Sequence, residues 1–114
     1  MSKLDELLAK YEENMKDKLG IKTVDKVILR AAAKACGPAL YRKDASTVSS
    51  GDATELERVK KNFLIKKLEL KDSPKLDDAI QEVVDTFGSS NRNKYRAIFY
   101  YLLIKKFKKS SMFK

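Results

Sequence analysis

The sequence predicts an all-α fold, a single compact bundle of about five helices closed around a buried C-terminal helix. Three observations carry that prediction. Apolar residues recur at i, i+3, i+4 and i+7 in five segments. The 114 residues hold only four Gly and two Pro, too few breakers for many short strands. Those breakers stand with Ser, Thr and Asp between the apolar segments, where helix caps and stops belong.

Ser2 caps the first helix in this reading, with Leu4, Leu7, Leu8, Tyr11, Met15 and Leu19 on its apolar face. Gly20 supplies a left-handed stop. Thr23 is expected to cap the second helix, whose narrow face is Val24, Val27, Ile28, Ala31, Ala32 and Ala35; Gly37-Pro38 ends it. Residues 38–52 are the least regular part, a short turn or packed loop pinned by Leu40, Tyr41 and Val48.

Asp52 and Glu55 have the spacing of a capping box for the third helix, which turns Leu56, Val59, Phe63, Leu64 and Leu68 inward. Ser73-Pro74 opens the fourth helix, with Asp77 and Asp78 near its positive end. Its apolar set is Leu76, Ile80, Val83, Val84 and Phe87, closed by Gly88. Ser89 or Ser90 then starts the fifth helix, which is expected to run to about Lys108. Its stretch from Ala97 to Ile104 is apolar or aromatic without a break. A helix apolar all round is a buried one, so the fifth is placed at the centre. Tyr101 lies on the wheel beside Lys94, Lys105 and Lys108. It is either partly exposed there or buried with its hydroxyl at the surface, the commoner arrangement for tyrosine.

The chain is expected to be one domain over residues 1–114, with a short basic tail from about 109 to 114. The longest apolar run is far shorter than the roughly 18 residues a spanning helix needs. The first residues lack the apolar core of a signal peptide, and Cys36 is alone, so a cytoplasmic protein is expected.

Charge is unevenly spread within a net +9. Of 25 Lys and Arg, eight lie between Thr86 and Lys114, where there is no acid; the other 17 are matched by 16 acids. This asymmetry marks Arg92, Lys94, Arg96, Lys105, Lys106, Lys108 and Lys109 as candidate polyanion-binding residues. Lysine outnumbers arginine in the chain, so contacts to nucleic acid would go to phosphate with little sequence preference. An acidic protein is the other partner of that surface. A second basic cluster, Arg58, Lys60, Lys61, Lys66 and Lys67, is read as the solvated face of the third helix, with Lys60 and Lys67 together and Glu55, Glu57 and Glu69 offsetting part of the charge.

Catalytic chemistry is not expected. There is no histidine, and Cys36 sits at a helix C-terminus, the wrong end to stabilise a thiolate. Neither a phosphate loop nor a nucleophile elbow occurs. The acids Asp77, Asp78, Glu82 and Asp85 lack the Glu-x-x-His pattern of a bundle metal site and are read as facing water and the basic fifth helix. No cofactor is expected. The leading expectation is therefore a non-enzymatic binding module. Its alternative is a protein-interaction or homo-oligomerisation module built on an apolar patch around Tyr41, Tyr101 or Phe113.

The segments "SKLDELLAKY", "VKKNFLIKKLEL" and "NRNKYRAIFYYLLIKKF" resemble a family of small bacterial proteins grouped only as a domain of unknown function, family 2853. The resemblance covers nearly the whole chain and implies a stand-alone, cytosolic helical protein. It carries over no activity, cofactor or site residue.

Overall fold

The computed structural model describes residues 3–42, 46–48, 51–88 and 94–109. Ser2, Ser89, Ser90, Arg92 and the tail with Met112 and Phe113 lie outside them. Five α-helices stand among the described residues, and the only β pairing there is a single antiparallel bridge, Thr47 with Tyr95. The all-α bundle is thus the observed architecture. No helix among these residues is long and apolar enough to cross a membrane.

Helix α1 spans Lys3–Lys18, with Asp5 and Glu6 in its first turn and Lys16 and Lys18 in its last, each complementing the helix dipole. Tyr11 and Met15 are buried, and Leu4, Leu7, Leu8 and Leu19 pack at the edge of the core. Gly20 adopts φ 68°, and the following Ile21 N–H donates to the Met15 carbonyl at 3.0 Å. The expected left-handed stop is in place.

Helix α2 spans Lys26–Ala35 and departs from expectation in two ways. Its cap is Asp25 rather than Thr23: the carboxylate accepts from Val27 N–H at 3.1 Å and Ile28 N–H at 3.2 Å. Aspartate is the stronger cap, and Tyr101 reaches across the core to accept from the Asp25 N–H at 3.0 Å, fixing where the helix begins. The buried face is also rotated. Ile28, Leu29, Ala32 and Ala33 point inward, and Val27 is 54% exposed. Leu29 buries more apolar area than Val27 can, and Ala32 with Ala33 allows close approach to a neighbouring helix.

Gly37, at φ 60°, turns the chain into a 3-10 helix, Gly37–Tyr41, that buries Leu40 and leaves Tyr41 49% exposed. Residues 46–48 are tied to the start of the last helix. Val48 N–H donates to the Lys94 carbonyl and Arg96 N–H to the Ser46 carbonyl, both at 2.7 Å.

Helix α3, Ala53–Val59, is capped by Asp52, which accepts from Thr54 N–H at 2.9 Å and Glu55 N–H at 3.4 Å. The reciprocal half of the capping box is missing, because the Glu55 carboxylate is engaged by Arg96 instead. The helix then widens into a π-helix over Lys60–Ile65, with i to i−5 bonds from Lys66 N–H to the Lys61 carbonyl at 3.2 Å and from Leu68 N–H to the Phe63 carbonyl at 3.0 Å. One consequence is that Lys60 and Lys67 do not share a face: Lys60 is buried and Lys67 is exposed. The segment closes at Glu69, a non-glycine residue at φ 57°.

Helix α4 spans Pro74–Phe87. Ser73 makes no side-chain cap; Pro74 occupies the first turn, where its missing N–H costs nothing. Leu76, Ala79, Ile80, Val83, Val84 and Phe87 are buried, and Gly88 at φ 90° ends the helix.

Helix α5 spans Arg96–Lys106 and starts later than the serines at 89 and 90 would place it. Lys94 and Tyr95 are drawn into extended backbone by the pairing with residues 46–48. Ile98, Phe99, Leu103 and Ile104 are fully buried, and α2 is the helix most extensively packed on it. Phe63 stacks on Tyr100 at 3.9 Å between ring centroids, and Phe87 lies 6.0 Å from Phe99. The central helix is the core.

Glu69 pays the steric cost of a left-handed residue for its turn. Glu69→Gly is expected to raise stability by about 0.5–1 kcal/mol, read as a higher urea midpoint at unchanged m-value. An unchanged or lower midpoint would show that the Glu69 side chain contributes more than its backbone costs.

Candidate polyanion-binding surface

The seven candidate cations separate into two groups along α5. Arg92 lies outside the described residues. Lys94 is only 3% exposed, and the chain runs inward there to meet Val48. Arg96 also turns inward, ion-pairing with Glu55 and hydrogen bonding to the Tyr100 hydroxyl. Lys94 and Arg96 are therefore corrections to the surface assignment. Helix α5 begins inside the bundle, so cations at its start must find partners there.

Burial works against the Arg96 charge, but Tyr100 and Glu55 outweigh it and hold the guanidinium above its ordinary value. The Tyr100 hydroxyl is itself pushed up by burial, partly offset by Arg96. This pair also answers the dipole problem posed by a cation in a helix's first turn: Glu55 brings the compensating negative charge.

The far end of α5 is different. Lys105, Lys106 and Lys108 are exposed and Lys109 is half-buried. They stand in a tight C-terminal turn: Lys108 N–H donates to the Lys105 carbonyl at 3.2 Å and Lys109 N–H to the Ile104 carbonyl at 3.0 Å, a Schellman motif. Lys108 holds its left-handed position at φ 56° without being glycine. Lys106 ion-pairs with Glu82 of α4, so one helix-4 acid does meet the fifth helix. Lys105, Lys108 and Lys109 form no ion pair among the described residues. Tyr101 is not part of this surface; its ring is buried and its hydroxyl caps the approach to α2.

Two of the five cations in the third-helix cluster are ion-paired. Lys60 is buried and held by Asp72 at 3.0 Å and Asp77 at 3.3 Å, of which Asp72 does most to raise its pKa. Lys61 pairs with Glu57 at 3.5 Å on the exposed side. Arg58, Lys66 and Lys67 are exposed. Asp72 carried no sequence signal, since a loop acid far from any periodic face reads as solvated.

Cys36 is buried, its thiol donating to the Ala32 carbonyl at 3.4 Å. Burial pushes it to about 12, against a smaller opposing effect from Arg96, so it is a packed thiol at neutral pH. Tyr11, also desolvated, is likewise raised to about 12. Among the described residues no three acids or cysteines converge to hold a metal ion. A groove of about 390 Å³ between α1 and α2 went unseen in the sequence because it depends on the rotated face of α2.

Two outcomes test these assignments. Arg96→Leu strands the Glu55 carboxylate away from water and is expected to cost about 3–5 kcal/mol in chemical denaturation, with the double variant Glu55→Leu/Arg96→Leu recovering much of it. Cys36 and Tyr11 keep their protons in the fold to about 12, while the unfolded chain releases them from 9.0 and 10.0. Their contribution to stability is therefore complete below pH 9 and lost as pH rises toward 12. Urea midpoints from pH 7 to 11 should fall from about pH 9 upward, and Cys36→Ala should move the onset toward 10.

Comparison with known proteins gives a family without a function. The curated proteins contain no match to the chain. The family model described as "Protein of unknown function (DUF2853)" matches residues 10–111, a span that takes in all but the first turns of α1 and the last residues of the tail. Helices α2 to α5, the bridge and the lysine turn all fall within that span, and the chain belongs to the DUF2853 family.

Proposed function

We propose that the protein is a non-enzymatic binding module whose lysine turn at the end of α5 contacts the phosphates of a polyanion, with nucleic acid as the partner. The observation that carries this reading is the turn itself. Lys105, Lys108 and Lys109 form no ion pair among the described residues, and the last quarter of the sequence contains no acid. Two lysines in the last turn and two more just past the Phe107 cap exceed what a helix dipole equivalent to about half a charge requires.

The inward turn of Lys94 and Arg96 supports a modest contact. Neutralising a phosphate releases condensed counterions, and three to four lysines give a log–log salt slope of about −3 on duplex DNA. Point-charge ammonium groups on flexible stems do not impose the planar geometry that reads bases, so binding is non-specific. A non-enzymatic role is supported by the lack of histidine and by a cysteine held as a buried thiol.

The left-handed site at Lys108 provides a clean test, because glycine there removes a charge and relieves the backbone together. Lys108→Gly is expected to keep or raise the melting temperature while flattening the salt slope by about one. Adding Lys105→Ala should flatten it by about one more. Fluorescence anisotropy on a labelled duplex, from low to moderate salt, measures both. Equal affinity for wild type and the double variant, or no complex at low salt, would sink the reading.

A further inference from the structure

The groove between α1 and α2 is a second surface, remote in sequence from the lysine turn. Its apolar residues are Leu8 and Ala9 of α1 with Val27 and Leu29 of α2. Val27 is the most exposed large apolar side chain among the described residues, followed by Tyr41. A β-branched residue in the first turn of a helix, facing water, has no local reason to be apolar. The rims carry Asp5 and Glu12 on α1 and Lys26 and Arg30 on α2, with Glu12 paired to Lys16 of its own helix at 3.2 Å. Arg30 and Asp5 already meet across one end at 3.1 Å.

We infer that this groove is a self-association surface, in which a second copy of the chain packs two-fold on Val27. The charge layout selects both the occupant and the symmetry. In a two-fold contact a patch must complement itself. An axis running along the groove sets α1 of one copy over α2 of the other, so that each acidic rim meets a basic rim. An axis running across the groove would set acid over acid and base over base. The first arrangement brings Lys26 of each chain to Glu12 of the other, in competition with the exposed Lys16–Glu12 pair, and covers both Val27 side chains at the centre. The result is an antiparallel four-helix contact with an apolar middle and a polar rim, the anatomy of a protein interface.

Sedimentation equilibrium on nuclease-treated protein, over rising concentration, tests this without nucleic acid, so its failure leaves the lysine-turn reading untouched. Wild type is expected to rise from 13.0 kDa toward twice that mass. Val27→Glu places an acid in a first helical turn, where it suits the dipole, and should hold the protein at the single-chain mass with an unreduced melting temperature. Glu12→Lys and Lys26→Glu should each weaken association, and the double swap should restore it. A wild type that stays at 13.0 kDa throughout overturns the inference. So does a Val27→Glu variant that associates like wild type, or a double swap no better than either single change.

Discussion

The structure depends on one constraint: the apolar stretch of α5 has no face that water can have. From Ala97 to Ile104 every side chain but Leu102 is buried, and Leu102 is half so. The hydrophobic return is large, since each fully buried aliphatic or aromatic side chain contributes on the order of 1.5–3 kcal/mol. It is available only if other elements cover the helix on all sides. Helices α1 to α4 are amphipathic because that is their task.

Placing such a helix at the centre also brings polar groups inside, and the fold gives several of them specific partners. The Tyr101 hydroxyl accepts the Asp25 N–H, the donor just before α2 starts. Arg96 meets Glu55 and Tyr100. The backbone at Lys94 and Arg96 bonds with Val48 and Ser46. These contacts join the end of the chain to α2, to α3 and to the loop between them. They give the packed helices a defined register that apolar contact alone would leave loose.

Helices and core were legible in the sequence because they follow from period and breakers. Leu76, Ile80, Val83, Val84 and Phe87 needed only the 3.6-residue repeat, and Gly20 and Gly88 needed only the sterics of positive φ. What escaped was set by tertiary competition. Thr23 and Asp25 are both good caps, and the choice fell to Tyr101, far away in sequence. Lys60 was read as solvated because it is charged, although it follows Leu56 by four residues on the inward face; the π-helix then breaks the phase, so Lys67 does not join it there. Lys94 and Arg96 resembled Lys105 and Lys108 as letters; only the depth at which α5 begins distinguishes them. Charge can be counted from a sequence, but whether a cation faces an acid or a solvent cannot be without the packing.

The central helix follows its four coverings along the chain, and synthesis is directional. Each of α1 to α4 emerges with an apolar face whose complement has yet to be translated. At about 5–20 residues per second, the interval lasts several seconds, far longer than a helical bundle needs to form once complete. During that time the nascent segment can only sample helices or gather in a disordered cluster, and the cooperative step waits for residues 96–106. Until residues 96–106 are present, the apolar faces of α1 to α4 lack the surface they cover in the finished fold.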